Sequence, residues 1–544
     1  MAKYSIGLDF GTLSARGVMV DVTSGEIVAT AQYAYPHQIM SHLPDGTPLP
    51  PASAYAHPED YIEGMQKIIR QMTQEMPPEG EVVSLGIDSA TSSVIPLSAN
   101  GAPLCFLPEF KDHAHAYIKL WKHHTPTLQA ARLQQAALRR GERFLSDCGN
   151  MVSVESFFPK VLETFEEDRE VYDAAALFLE VGEWLTLVLT GKVVAGETFA
   201  CFKRFYHPFR GYPEKDYFNS VAPDFGTVLS KLRGKMLPVG AKAGELHERT
   251  ASALGLPAGI AVSSPQLDAH TAMAAVGGKP GDMVCVMGTN GISLMCSHSD
   301  SGLEGISSTS SHCFLPDTYG HEGGQSSVGD TFAWFVNNFV PPEYHDNALE
   351  QEMSLHQYLS SLASEKKPGE SGLMALNWLA GVRTPYMDYS LNGTLVGMTL
   401  QTKPEDIYRA LIEATLYSAR QIRDIFKNHG HTVSRCFLAG GIPRKNELFC
   451  QLAADILGVD VHACTFEDTC ALGSAILAAF AWGEEKREIL INNMRCKDIK
   501  DYYPDFAARD TYDKLYAEYM RLGNIMKEHN SVMRTVTRIK EEMK

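Results

Sequence analysis

The feature that most constrains this chain is a hairpin that occurs twice. Tyr4, Ile6, Leu8 and Phe10 alternate with smaller or polar residues, the period-two pattern of a strand. Gly11-Thr12 then turns the chain, and residues 17–20 run back. About 280 residues later an apolar run over 283–287 leads into Gly288-Thr289-Asn290-Gly291, and 292–296 returns. Strand, Gly-Thr turn and strand near the head of each half of a 544-residue chain predicts a duplicated α/β domain. The length also favours more than one domain.

The stretches between the hairpins are mixed. Helices are expected over 58–75, 128–141, 156–167 and 173–189, the last with Gly191 as its C-cap. A strand over 81–87 ends at Asp88, and 210–213 and 233–244 read as loops. Farther on, a helix over 405–427 precedes a strand over 435–438, and helices follow over 446–457 and 469–482. The 469–482 stretch is rich in small residues suited to close packing on a sheet, and the 484–544 tail reads as charged and helical. A boundary near 250–260 divides the chain into 1–257 and 258–544.

Composition excludes several functions. With 48 basic and 65 acidic side chains, the net charge is −17, which argues against nucleic acid as a partner. Hydrophobic residues make up 44%, so the bulk of the chain can build cores. The longest apolar stretch, 471–482, is too short for a membrane span, which needs about 20 residues. No signal-peptide pattern opens the chain, and eleven cysteines without a C-x-x-C suit reduced thiols. A cytoplasmic location is expected.

Three segments could hold phosphate. In Asp9-Phe10-Gly11-Thr12-Leu13-Ser14-Ala15-Arg16, the turn offers backbone N–H groups and hydroxyls, and Arg16 adds a forked cation. Asp9, at the strand end, is a candidate Mg²⁺ ligand. Gly288 and Thr289 form the second turn. Gly440-Gly441-Ile442-Pro443-Arg444-Lys445-Asn446, between a strand and a helix, lets backbone approach a ligand closely. Each alone reads equally as an ordinary polar turn; their order along the chain is the specific signal. No G-x-x-x-x-G-K-[ST] or G-x-S-x-G motif occurs.

That order resembles the actin-like ATPase superfold, with two phosphate loops and an adenosine loop. Within it the chain is similar to the FGGY family of carbohydrate kinases. Gly393-Thr-Leu-Val-Gly-Met398, followed by 406–413, matches that family's C-terminal signature, with Leu411 at a position where a smaller or branched residue is usual. The segments IGLDFGTLSARGVMVD, KLWKHH, SSPQLDAH, HEGGQSSVGDTFAWF, LQTKPEDIYRALIEAT and GGIPRKN resemble the L-ribulokinase branch, as does the tail TYDKLYAEYMRL.

The resemblance implies two actin-like α/β domains with a cleft between them, ATP and Mg²⁺ as cofactors, and a small-molecule sugar as substrate. It implies Asp268 as catalytic base, where the residues alone suggest an N-cap for a helix over 269–276. It implies sugar contacts from Thr91, Lys203 and Glu322, residue types that donate to or accept from hydroxyls. Gly11, Thr12, Ser14, Arg16, Gly288 and Thr289 would face phosphate, and Gly440, Gly441 and Asn446 the adenosine. His113, His115, His123 and His124 are clustered without a metal-ligand motif. Trp121 and His124 are weighed as sugar neighbours against plain packing.

Departures from the branch's pattern fall near the sugar and phosphate. Asn290 follows Gly288-Thr289 where Ser is usual, Pro265-Gln266-Leu267 precede Asp268 in place of Gly-Asn-x, and 88–93 reads DSATSS. The Trp usual shortly after Lys160 is missing. The expected reaction is L-ribulose phosphorylation to the 5-phosphate. D-ribulose, xylulose or erythritol as acceptor, and a sugar sensor without turnover, stay open, as does a homo-oligomer.

Overall fold

The computed structural model describes residues 1–299, 303–483, 486–528 and 531–543. Both hairpins form, and each seeds a seven-stranded sheet. In the first, Lys3–Phe10 runs antiparallel to Ser14–Asp21, which runs antiparallel to Ile27–Ala34. Glu81–Ser89 lies parallel on the other side of Lys3–Phe10, followed by Ala261–Ser263 and Lys242–Glu245. In the second, Asp282–Met287, Gly291–Ser297 and Tyr319–Gln325 repeat the antiparallel series. Arg435–Ala439 takes the parallel place beside Asp282–Met287. Two sheets with one pairing plan explain why the same hairpin heads each half.

Local rules position the covering helices. Pro58–Glu75 starts with Pro at its first turn, His57 accepting from Glu59 N, and Glu59 and Asp60 near the positive end. Its buried stripe, Tyr61, Met65, Ile68, Ile69 and Met72, recurs at helical spacing and packs on the first sheet. Each such side chain contributes about 1.5–3 kcal/mol on burial.

The helix Thr469–Trp482 comes from the second half yet packs on the first sheet. Ser5 Oγ donates to Ala475 O at 2.6 Å. A Cβ at Gly7 would stand 1.9 Å from Ala471 O, so only glycine admits this approach. The same helix abuts Asp268–Ala275, where Thr271 Oγ1 donates to Cys470 O at 3.0 Å. Small residues thus serve a joint between the halves.

Several elements differ from the sequence reading. The expected helix over 173–189 is interrupted: Arg169–Ala174 ends, Leu177–Glu180 pairs with Val94–Leu97 as a strand, and Val181–Thr190 follows, capped by left-handed Gly191. The Leu-Phe-Leu run is buried on both faces, a pattern that does not separate strand from helix. Lys235–Leu237 is a strand inside the expected 233–244 loop, and the strand Lys242–Glu245 begins within it. In the tail, Ile499–Tyr502 adds an edge strand to the second sheet. Ala261–Ser263 and Gln266–Leu267, beyond residue 257, both pair with Glu81–Ser89. Among the described residues no helix is long and apolar enough to cross a membrane.

Candidate active site

Three parallel strands end side by side, and each end carries an acid. Asp9 lies opposite Asp88 in register, Gln266 pairs with Asp88 from the other side, and Asp268 follows that strand by one residue. Ligands of parallel α/β sheets bind at such carboxyl ends. Asp88 is fully buried and neither carboxylate oxygen has a hydrogen-bond partner. Burial, then the Asp9 charge, pushes its pKa well above the usual carboxylate range. Asp9 is raised by burial against the pull of Arg16.

Asp268 opens the helix Asp268–Ala275 from within its first turn; Leu267, not Asp268, occupies the N-cap. Its Oδ1 accepts from Ala269 N at 2.7 Å. Burial and the nearby Asp9 charge push its pKa up to about 7, with Glu322 adding to the rise. A carboxylate poised near neutral pH is suited to general-base work.

A cavity of about 210 Å³ opens at this point. Thr12, Thr91, Lys203, Asp268, Gly288, Thr289 and Glu322 all line it, bringing together candidates spread over more than 300 residues. Thr91 Oγ1 is buried without a partner. Glu322 accepts from His270 Nε2 at 2.8 Å, and that bond with the Lys203 and Arg383 charges holds its pKa low against burial. Asn290 and Leu267, two of the departures, also face the cavity.

Other candidates lie off its lining. Gly11 N donates to Ser14 O at 3.0 Å, closing the first turn. Arg16 stands 3.6 Å from Asp9 and 3.7 Å from Asp468. Gly440 has φ +99°, and a Cβ there would stand 2.6 Å from Met287 O, so it backs the strand that feeds the second turn. Gly441 begins a short helix, Gly441–Lys445, where the sequence suggests loop. Asn446 caps Glu447–Leu457 by accepting from Phe449 N and donates to Ser360 Oγ, so its amide is engaged within the protein.

Sequence reasoning missed Glu155 and Arg383, which line the cavity as an ion pair at 3.2 Å. Nothing local marks either; their partner lies in the other half of the chain. Trp121 does line the cavity and donates from Nε1 to Thr12 Oγ1 at 3.0 Å. His124 instead faces Glu155 at 3.5 Å. The other clustered histidines disperse to separate acids: His113 to Asp168, His115 to Glu167 and His123 to Glu163.

Comparison with known proteins decides the family. Models of the FGGY family of carbohydrate kinases match the chain in both parts, the N-terminal domain over 4–277 and the C-terminal domain over 283–482. The chain belongs to the FGGY family of carbohydrate kinases. A ribulokinase of Anoxybacillus flavithermus is 37% identical over 550 aligned residues, covering 99% of this chain and 97% of that one. A ribulokinase of Mycolicibacterium smegmatis is 36% identical, covering 98% and 95%. The fold matches a xylulose kinase of Rhodospirillum rubrum with TM-score 0.80 at 21% identity, covering 97% and 99%. It matches a glycerol kinase of Plasmodium falciparum with TM-score 0.73 at 15% identity, covering 96% and 98%.

The kinase is thus a phosphotransferase of the actin-like fold that uses ATP with Mg²⁺. Its residues fit both. A Cβ at Gly288 or Gly441 would meet nothing within 4 Å, leaving open space above that backbone. Asp88, fully buried beside Asp9, is a carboxyl that a divalent cation would bring back to its ionised form. Among the described residues no group of three or more His, Cys, Asp or Glu could hold a metal alone. A cation there would take its remaining ligands from water and phosphate, as Mg²⁺ commonly does.

Proposed function

We propose that this kinase phosphorylates L-ribulose at its terminal hydroxyl, giving L-ribulose 5-phosphate. The observation that carries the reading is Asp268 sharing one cavity with Lys203, Glu322 and the Gly288-Thr289 turn. Relatives named ribulokinases, similar from end to end, support ribulose as acceptor.

Asp268 takes the proton of the sugar hydroxyl as that oxygen attacks. Lys203 donates to the sugar's other hydroxyls and Glu322 accepts from them, with His270 fixing the Glu322 carboxylate. Thr91 contributes a hydroxyl without a prior partner. Thr12, Ser14, Arg16, Gly11 and the Gly288-Thr289 turn hold phosphate oxygens, and Gly440 and Gly441 border the adenosine. When bound, ATP supplies the phosphoryl group and Mg²⁺, held near Asp9, the charge that offsets the phosphates. The first unit, expected over 1–257, supplies Thr91, Lys203 and the first phosphate turn; the second, expected over 258–544, supplies Glu322, the second turn and the adenosine loop, while Asp268, expected with the second, follows a strand of the first sheet.

The cavity's charges also select a substrate class. Arg383 is matched by Glu155 and Lys203 faces Glu155 at 3.9 Å, while Glu322 and Asp268 are acidic. No net positive charge is left to attract a sugar acid, which favours a neutral ketose or polyol. Asn290 and Leu267 on the lining favour keeping D-ribulose, xylulose and erythritol as alternatives.

ADP release with MgATP across L-ribulose, D-ribulose, D-xylulose and erythritol tests the reading. L-ribulose should give the highest kcat/KM. A higher value for another acceptor would move the substrate, and ATP binding without turnover of any sugar would favour a sensor.

A further inference from the structure

We propose that Lys160 is a positioning residue of the sugar site, its buried ammonium fixing the two loops that present Thr91 and Trp121 to the cavity. The inference rests on the kinase reading above and extends it to a residue outside the cavity.

Lys160 lies on the helix Phe157–Glu167 and is 0% exposed. Its Nζ donates to Ser92 O at 2.6 Å, Leu120 O at 2.7 Å and Trp121 O at 3.3 Å. Burial pulls its pKa down to about 7, but three main-chain carbonyls each need a donor, which only the three N–H groups of the ammonium form supply. These carbonyls belong to two loops distant in sequence. One follows the strand Glu81–Ser89, the other the strand Ile118–Lys119. Each loop places a residue on the cavity wall: Thr91, adjoining Ser92, and Trp121 itself.

The first loop requires such a hold. Ser92 has φ +53°, a left-handed conformation that a residue with a side chain keeps only when its surroundings enforce it. Its hydroxyl and that of Ser93 are buried without partners, so main-chain acceptors hold this turn: Ser92 O takes Lys160 Nζ and Ser93 O takes Val181 N at 2.9 Å. The second loop carries the restraint onward, because the Trp121 indole donates to Thr12 in the first phosphate turn. Lys160 therefore ties the sugar wall to the phosphate turn without touching either ligand. Its own backbone is anchored in turn, with Lys160 O accepting from Lys119 Nζ at 3.0 Å.

A purely structural lysine and a positioning lysine differ in what they change. Loss of fold stability lowers the thermal midpoint and the active fraction, leaving both KM values alone. Loss of loop position raises the sugar KM selectively. Lys160→Met fills a similar volume without the charge. In folded protein it should raise the sugar KM at least about tenfold, with the ATP KM within about threefold of wild type. Thr91→Val should raise the sugar KM on its own and add little in the Lys160→Met background, as coupled residues do. An unchanged sugar KM, an equal rise in both KM values, or full additivity with Thr91→Val would overturn the proposal.

Should Lys160→Met not fold, Lys160→Arg carries the test. A planar guanidinium keeps the charge but cannot aim at three carbonyls as an ammonium does. A sugar KM raised about threefold or more supports the proposal, and an unchanged one overturns it. Wild-type turnover with unaltered variants counts against Lys160 alone. Absence of turnover with every panel sugar in the wild type overturns the kinase reading, and this inference with it.

Discussion

Glu155 and Arg383, 228 residues apart in sequence, meet at 3.2 Å on the cavity wall, one from each half of the chain. Burial pushes the Glu155 pKa up, but Arg383 and His124 pull it below the usual range. A depressed folded-state pKa contributes stability above the unfolded value near 4.3, lost as pH falls through the folded one.

Arg383→Met removes the nearest cation from the largely buried Glu155 carboxylate and leaves His124 at 3.5 Å and Lys203 at 3.9 Å to offset it. Removing one partner of a buried pair costs about 3–5 kcal/mol. Urea denaturation at pH 7 should show a loss of that order, and adding Glu155→Gln should recover part of it. A stability equal to wild type in the single variant would mean the pair is solvated.

Asp268 should impose a pH profile on activity. With its pKa near 7, kcat/KM for the sugar rises about tenfold per pH unit below that value and levels off above it, as the basic form accumulates. The stability effect has the opposite sense. Between the unfolded value near 3.9 and the folded value near 7, the native state holds a proton that the unfolded chain has released. Stability contributed by this group therefore falls as pH rises through that window. Asp268→Asn should raise the thermal midpoint at pH 8 and leave it unchanged near pH 4.

Gly440→Ala tests the adenosine loop. The new Cβ meets Met287 O at 2.6 Å and the residue keeps φ +99°, so the loop or the strand end must shift. The ATP KM should rise while the sugar KM stays near wild type. A selective rise in the sugar KM would contradict the assignment.

Gly7→Ala tests the joint between the halves. A Cβ 1.9 Å from Ala471 O cannot be accommodated by a side-chain shift, because the obstacle is backbone. The variant should lose most of its folded yield. Ser5→Ala, which removes the buried bond to Ala475 O and the acceptor of Ser84 Oγ, should cost about 1–3 kcal/mol in chemical denaturation.

How far the sequence reached can be judged from particular residues. Local patterns sufficed for both hairpins, for Pro58–Glu75 and for Thr469–Trp482, because periodicity, caps and turn residues are short-range signals. The Leu177–Glu180 strand escaped because a short apolar run fits strand and helix alike, and its partner Val94–Leu97 lies some 80 residues earlier. Ile499–Tyr502 was hidden in a charged tail, as edge strands are polar by nature. In the site, the glycine turns stood out through their order along the chain, and Asp268 through the family resemblance alone. Glu155, Arg383 and Lys160 did not, because their roles arise from contacts across the fold.

The most direct measurement is sugar-dependent ADP release by Asp268→Asn beside wild type at pH 7.5, with MgATP and the best sugar of the panel. Asparagine keeps the volume and removes the base, so kcat should fall by about 10²–10⁴-fold with the sugar KM within a few-fold of wild type. Near-normal turnover in the variant would contradict Asp268 as the base, and with it the mechanism assigned to this cavity.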